Sequence, residues 1–313
     1  MDFTRLGRTG LKVSVMGLGC GGHSRLGLST GNTEEQAVSV VRAALDLGIN
    51  FIDTAEAYKT EVVVGKGIAG IPRDQVILST KCGCGWEDRQ CTAQEMKERV
   101  NACLTRLQTD YVDVLHLHGV RVEDYKYACE ELVPALQDLK TEGKIRHIGI
   151  TEAFGPEPSH EMLTTAVLDD AWEVVMVGFN ILNQSARKQI LKTTQDKGIG
   201  TLCMFAIRRA LSRPEVLRDL IHDLAAKGLV DGNAFEPERP LGFLEENGVA
   251  ADIQDAAYRF CRYEPGMDVV LSGTGNIEHL KLNAASLSRP PLPEEVASRL
   301  RTLFKDVDCV SGN

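Results

Sequence analysis

Two spacings of apolar residues alternate along this chain, and each change of spacing marks a new element. Short apolar runs bounded by glycine or polar residues read as buried strands. Longer segments with apolar residues three and four apart read as amphipathic helices. After an N-terminal hairpin turning near Arg8-Thr9-Gly10, VSVMGLG (13–19) is the first strand and TEEQAVSVVRAALDLG (33–48) the first helix, with Thr33 as its cap and Gly48 at its end. INFID (49–53), VILSTK (76–81) and YVDVLHLH (111–118) are the next three strands. TEVVVGKGIAG (60–70) is the helix between the first two of these. TAQEMKERVNACLTRLQT (92–109) follows the second, with Thr92 and Glu95 as a capping box. Residues 125–143 form a helix that Pro134 should kink. IRHIGIT, EVVMVGFN, GIGTLCMFA and DVVLSGTG continue the strand series, with helical segments at 158–170, 186–198, 252–266 and 277–289 between and after them. A last amphipathic helix spans 293–307, and the short RPPLP patch before it reads as a turn.

Eight strands, each followed by a helix, predict an α/β fold: a (β/α)8 TIM barrel with the N-terminal hairpin across its bottom and additional helices at the C-terminal end. A doubly wound sheet is the alternative. No stretch rich in Gly, Pro or Ser divides the chain, so residues 1–313 are read as one domain. The long excursion from Ile207 to about Ala251, with a helix near 214–228, interrupts the seventh unit and carries no motif.

The charge balance narrows the partners. A net charge of −9 and a pI of about 5.4 argue against a broad nucleic-acid surface. No stretch reaches the length of a membrane span, and MDFTRLGRTG has no signal-peptide pattern. The odd count of nine cysteines, scattered through predicted strands and helices, fits a reduced cytoplasmic chain.

Four side chains carry the chemistry. Asp53, Lys81 and His118 end apolar strands, and Tyr58 lies just past the first of these. Strand ends supply the catalytic groups of a β/α barrel. An ammonium lowers a phenol's pKa, a carboxylate holds the ammonium, and an imidazole orients a carbonyl or relays a proton. Gly17-Leu18-Gly19-Cys20-Gly21-Gly22 formally fits a dinucleotide fingerprint, but a loop, HSRLGLSTGN, follows it where that fingerprint needs a helix. Cys82, Cys84, His116 and His118 offer a rival metal site, although paired C-x-x-C spacing is absent. His116 shares strand parity with His118 and reads as packed below the site, and no metal is expected.

GINFIDTAEAY, then STK, then DYVDVLHLH closely resembles the aldo-keto reductase family, in the right order and with the four residues distributed among the segments. The resemblance covers nearly the whole chain and is weakest at 207–251. It implies reversible hydride transfer between NADP(H) or NAD(H) and a carbonyl or alcohol such as an aldehyde, ketone or sugar. Tyr58 is then the proton donor, Lys81 its tuner, Asp53 the anchor of Lys81, and His118 the group that positions the carbonyl oxygen. By matched position, Gly19, Cys20, Gly21, Asp53, Thr151, Glu152, Met176, Met204, Phe205, Ala206, Ile207, Gly273, Thr274, Gly275, Asn276, His279 and Asn283 fall on cofactor-contacting sites.

Some positions depart from the family. Thr151-Glu152 replaces the common Ser-Asn, Met176 the Gln, and Met204 the stacking Tyr, with Phe205 beside it. Where many NADP-using relatives place cations, this chain has Gly273, Gly275 and His279, which leaves NAD use open; His279, Lys281 or Arg208–Arg209 are the substitutes at hand. Trp86 and Phe154 are candidate walls of the substrate pocket, and the loops 84–91, 121–127 and 207–251 are where specificity should lie. Two other classes fit the same sequence: a cofactor-binding regulatory subunit, and a metal-dependent barrel hydrolase. Substrate identity, physiological direction and oligomeric state are not legible.

Overall fold

The computed structural model, which describes residues 1–86 and 89–313, gives each later apolar run one short strand, while the first run, 13–19, is divided between the hairpin's second arm and the first barrel strand. The strands are β1 (Phe3–Arg5), β2 (Lys12–Ser14), β3 (Met16–Gly19), β4 (Phe51–Asp53), β5 (Ile77–Gly83), β6 (Val112–Val120), β7 (Ile145–Glu152), β8 (Val174–Gly178), β9 (Gly200–Met204) and β10 (Val269–Ser272). β3 through β10 close into a barrel in sequence order, and β1 and β2 form a separate antiparallel pair. The closed (β/α)8 architecture therefore stands, and the doubly wound alternative does not.

The helices are α1 (Glu34–Asp46), α2 (Glu61–Ile68), α3 (Ala93–Leu107), α4 (Val122–Tyr127), α5 (Val133–Thr141), α6 (Glu161–Ala166), α7 (Lys192–Lys197), α8 (Arg209–Ser212), α9 (Pro214–Ala226), α10 (Ile253–Arg262), α11 (Ile277–Leu287) and α12 (Glu294–Leu303). Thr33 and Thr92 cap α1 and α3 through reciprocal capping boxes, with Gln36 and Glu95 as partners. Pro134 leaves its mark as a π-helical turn, Ala128–Leu132, immediately before α5. A proline has no N–H to donate and crowds the preceding turn, which widens there. The excursion resolves into α8, α9 and three short 3-10 turns.

The hairpin closes the bottom of the barrel. Leu6 and Val13 join Phe51, Ile77, Val114, Val174, Met176, Leu202 and Val269 in one apolar cluster filling the lower lumen. The Arg8 N–H donates to Gly198 O at 2.6 Å, just ahead of β9. Gly7 has φ +48°, and a Cβ there would lie 2.3 Å from Gly200 N, so only glycine permits this seal. At the opposite end the C-terminal segment crosses the loop after β8. Asn183 Nδ2 donates to Val310 O at 2.9 Å and Asn180 Nδ2 to Ser311 O at 3.3 Å.

Candidate active site

The in-register pairing of β3 to β6 brings the four strand-end residues to one mouth. Asp53 is level with Ser79, and Lys81 with His116, one pleat below the level of His118. Lys81 is wholly buried, where an ammonium needs partners. It has two: Asp53 Oδ2 at 2.6 Å and Thr54 O at 2.7 Å. Ser79 Oγ donates to the other Asp53 oxygen at 2.8 Å. Burial opposes the Lys81 charge, but Asp53 and Tyr58 outweigh it and hold the ammonium above its usual pKa. Burial pushes Asp53 up, while Lys81 and Ser79 pull it back.

Tyr58 rides on the 3-10 turn Glu56–Tyr58 after β4. Its ring lies 4.9 Å from Lys81 Nζ and edge-on to His118, with centroids 5.4 Å apart and planes at 86°. Its hydroxyl is 3.4 Å from His118 Nε2. Gly21 lies against this ring, and a Cβ there would come within 2.5 Å of it. The expected lowering of the Tyr58 pKa is not the net outcome. Burial raises the phenol, with Lys81 pulling against it and Asp53 adding to the rise. The group is held as a protonated phenol, which is the form that donates a proton.

His118 is pushed down to about 3 by burial and by Lys81, so it is neutral across physiological pH. His116 sits deeper, fully buried, with neither ring nitrogen hydrogen-bonded among the described residues. Gly149 makes room for it, since a Cβ there would lie 2.3 Å from His116 Nδ1. Burial, Lys81 and His118 hold His116 well below the imidazole range. Sequence reasoning placed His116 correctly but gave it no consequence. An imidazole that protonates near 6.5 when unfolded, but not in the fold, gives the unfolded chain the extra proton. Stability is thus complete above about pH 6.5 and falls below it, by about 1.4 kcal/mol per pH unit for each such histidine. Urea midpoints between about pH 7.5 and 5 should show this slope, and His116→Leu should remove roughly one histidine's share. An unchanged slope in that variant would clear His116.

Other expected residues fall differently. Glu152 does not face the lumen. It is buried, accepts from Gly178 N–H at 2.7 Å and lies 2.8 Å from His160 Nδ1, so its carboxylate is spent inside the protein and is not free for a carboxamide. The cause is strand parity: Thr151, its neighbour, faces the mouth and accepts from Gly119 N–H at 2.7 Å. Phe154 is only 1% exposed, stacked between His160 and Phe205, and is therefore no open pocket wall. Phe205 has φ +66° and carries Arg208 over its ring at 4.0 Å. Cys20 and Ala206 are buried, and Met176 lies in the lower apolar cluster with Met204 packed against it. Ile207 packs on the outer core. Trp86 is half exposed between Arg89 and Arg99, as a mouth residue should be. Residues 87 and 88 of the 84–91 loop lie outside the described residues. Cys82 does not meet the histidines, because its thiol faces Cys103 on α3. Gly19 ends β3 and no helix opens until Glu34, so the glycine run is not a dinucleotide fingerprint.

At the start of α11 a cavity of about 590 Å³ opens between Thr274–His279 and the loop 24–32 with the first turns of α1. Its lining among the described residues, Ser24, Thr30, Asn32, Gln36, Ser39 and Thr274 through His279 with Val40, contains no Lys or Arg. Asn276 caps the helix, accepting from the N–H groups of Glu278 and His279. Gly275 packs against Gly27, and its carbonyl accepts from Asn32 Nδ2 at 2.8 Å. Gly273 abuts the Gly19 carbonyl, while Asn283 donates to Ser272 Oγ at 2.9 Å. The contribution of loop 24–32 was not legible in the sequence, where HSRLGLSTGN read only as a loop.

The structure is thus a closed β/α barrel that gathers a phenol, an ammonium, a carboxylate and a neutral imidazole at one mouth, at the C-terminal ends of its strands. Comparison with known proteins names it. The Aldo/keto reductase family model matches residues 16–305, and the chain belongs to that family. It is 43% identical to L-galactose dehydrogenase of Arabidopsis thaliana over 157 residues, a match spanning 48% of this chain and 48% of that protein. It is 31% identical to an NADH-specific methylglyoxal reductase of Escherichia coli (strain K12), over 69% of this chain and 70% of that one. The holo form of an aldo-keto reductase from Bacillus halodurans superposes with a TM-score of 0.75 at 27% identity, covering 99% of this chain and 98% of that one. The protein is accordingly a nicotinamide-dependent oxidoreductase acting on small carbonyl or alcohol substrates. No helix among the described residues is long and apolar enough to cross a membrane.

Proposed function

We propose that Tyr58 is the proton donor of this reductase, that His118 positions the carbonyl oxygen, and that Lys81, fixed by Asp53, tunes the phenol. The observation that carries this reading is the 3.4 Å approach of the Tyr58 hydroxyl to His118 Nε2 above a buried Lys81–Asp53 pair. Nicotinamide chemistry supplies the hydride; these side chains orient the substrate oxygen and move its proton. The neutral state of His118 supports a role as hydrogen-bond partner rather than as acid.

NAD(H) is the cofactor this site favours. Charge-assisted contacts to a phosphate are worth about 1.5–3 kcal/mol, and among the described residues the α11 cavity offers no Lys or Arg to make them. The helix amides that attract anions are in part taken by Asn276, and Lys281 is drawn to Glu278 at 2.8 Å. An NADH-specific relative is in keeping with this. The expected result is kcat/KM with NADH at least equal to that with NADPH. Glu278→Arg should move the ratio toward NADPH by roughly 10–100-fold. A wild-type preference for NADPH of several hundredfold would refute the assignment.

The resemblance to L-galactose dehydrogenase makes a galactose-type sugar the first substrate to try, with methylglyoxal second. Turnover of L-galactose with NAD⁺, against a panel of aldehydes and ketones with NADH, tests the substrate class. Failure of the whole panel with both cofactors would count against the proposed site.

A further inference from the structure

We propose that Cys82, Cys103 and Glu56 form a binding site for one soft divalent cation of the zinc or cadmium kind, behind the strand that carries Lys81. The two thiols belong to β5 and α3 and are wholly buried. Their sulfurs are 3.7 Å apart, and the Glu56 carboxylate lies within 4.8 Å of both. A zinc–thiolate bond of about 2.3 Å at tetrahedral angles sets two sulfurs about 3.8 Å apart. The observed separation fits that edge with little movement. It is far from the roughly 2.05 Å of a disulfide.

The surroundings suit an ion as well. Arg99 holds the Glu56 carboxylate, and Arg106 Nε holds Glu61 at 2.6 Å. Arg106 Nη2 also reaches Cys103 Sγ at 3.2 Å. An ionised carboxylate has about four lone-pair sites, so Glu56 can keep Arg99 and still ligate. In the metal-free cluster two carboxylates balance two guanidiniums. Binding replaces two thiol protons by one divalent ion, so the buried charge does not change. The S–H bonds break heterolytically, both protons leave to solvent, two metal–sulfur bonds form, and nothing is oxidised or reduced. The facing Cys82 thiol, and then burial, raise the pKa of the Cys103 thiol. Glu56 and Arg99 are partly exposed, at 21% and 16%, and mark the way in. The fourth corner is left for water. Cys82 adjoins Lys81, so an ion held there bears on the backbone carrying the reactive ammonium.

The second strand–helix thiol pair, Cys203 and Cys261, is a poorer candidate. Both thiols face the Phe179 carbonyl, at 3.3 and 3.5 Å, and no carboxylate completes a set with them among the described residues.

Cadmium titration of the full-length protein, read by the ultraviolet thiolate-to-metal band, tests the proposal. One equivalent should bind. Because two protons leave, apparent affinity should rise about 100-fold per pH unit near neutrality; the other charged or titratable groups facing the cluster are Glu61, Arg99, Arg106 and Cys91. Cys103→Ser should abolish the band and Cys203→Ser should leave it. Should Cys103→Ser fail to fold, Glu56→Gln serves instead, with an expected loss of tenfold or more in affinity. No stoichiometric band, a band lost in Cys203→Ser but kept in Cys103→Ser, or an affinity indifferent to both Glu56→Gln and pH would each overturn the proposal.

Discussion

Tyr58→Phe is expected to lower turnover by roughly 10²–10⁴-fold, the usual worth of a general acid, with little change in cofactor affinity. The variant deletes one oxygen and keeps the ring. The contacts that place the ring, to His118, Lys81 and Gly21, are made by its carbon face and edge and survive. What is lost is the hydroxyl 3.4 Å from His118 Nε2. Carbonyl reduction then has no donor for the oxygen that gains charge as hydride arrives. The upward shift of the phenol adds a directional signature. Burial outweighs the pull of Lys81, so the protonated form persists at neutral pH. Reduction should be nearly flat with pH through the physiological range, whereas alcohol oxidation, which needs the phenolate, should climb well above it. Stopped-flow single turnovers in both directions, with fluorescence titration of the cofactor, separate chemistry from binding. A Tyr58→Phe enzyme with near-normal single-turnover rates would end the assignment.

Period and capping were strong enough in the sequence to give the barrel nearly element by element. Thr33 and Thr92 start their helices as expected, and even the Pro134 disturbance shows as a π turn. The meeting of Asp53, Tyr58, Lys81 and His118 was legible because strand ends carry them or lie next to them and because the barrel fixes where strand ends meet. What the sequence hid is decided by parity and by distant neighbours. Glu152 follows an inward Thr151, so it turns to the helical layer, where His160 and the Gly178 amide receive it. Matched position alone carried no information on that His160 partner. Phe154 looked like a pocket wall because it follows a strand, yet its ring is sandwiched between His160 and Phe205. The pairing of Cys82 with Cys103 links β5 to α3 across 21 residues, and nothing in local spacing signals it. The net direction of the Tyr58 pKa was misjudged for a related reason. Charge partners can be read from motif residues, whereas the depth of burial that opposes them comes from the assembled mouth.

Lys81→Met is expected to damage the protein twice, and the two effects can be separated. Removing the ammonium leaves Asp53, 3% exposed, facing an apolar side chain, with only Ser79 Oγ still donating to it. Breaking a buried pair on one side costs about 3–5 kcal/mol because the remaining charge is uncompensated. Burial already pushes Asp53 up, and without Lys81 nothing large opposes it. A carboxyl whose folded pKa lies above its unfolded value favours the fold at low pH, and that contribution is lost as pH rises through the folded value. The stability deficit of Lys81→Met should therefore shrink as pH falls toward about 4, opposite to the histidine effect, which weakens every variant that retains His116. The double variant Asp53→Asn, Lys81→Met leaves no charge at this pair and should recover most of the lost stability. It should not recover turnover, because the ammonium that pulls the phenol down is still missing. Residual alcohol oxidation in both variants should shift to higher pH than in the wild type. Urea unfolding and pH–rate profiles on the single and double variants supply both readouts. If the double variant regains turnover along with stability, Lys81 acts only through the fold; if stability returns and turnover does not, the ammonium is part of the proton-transfer chemistry itself.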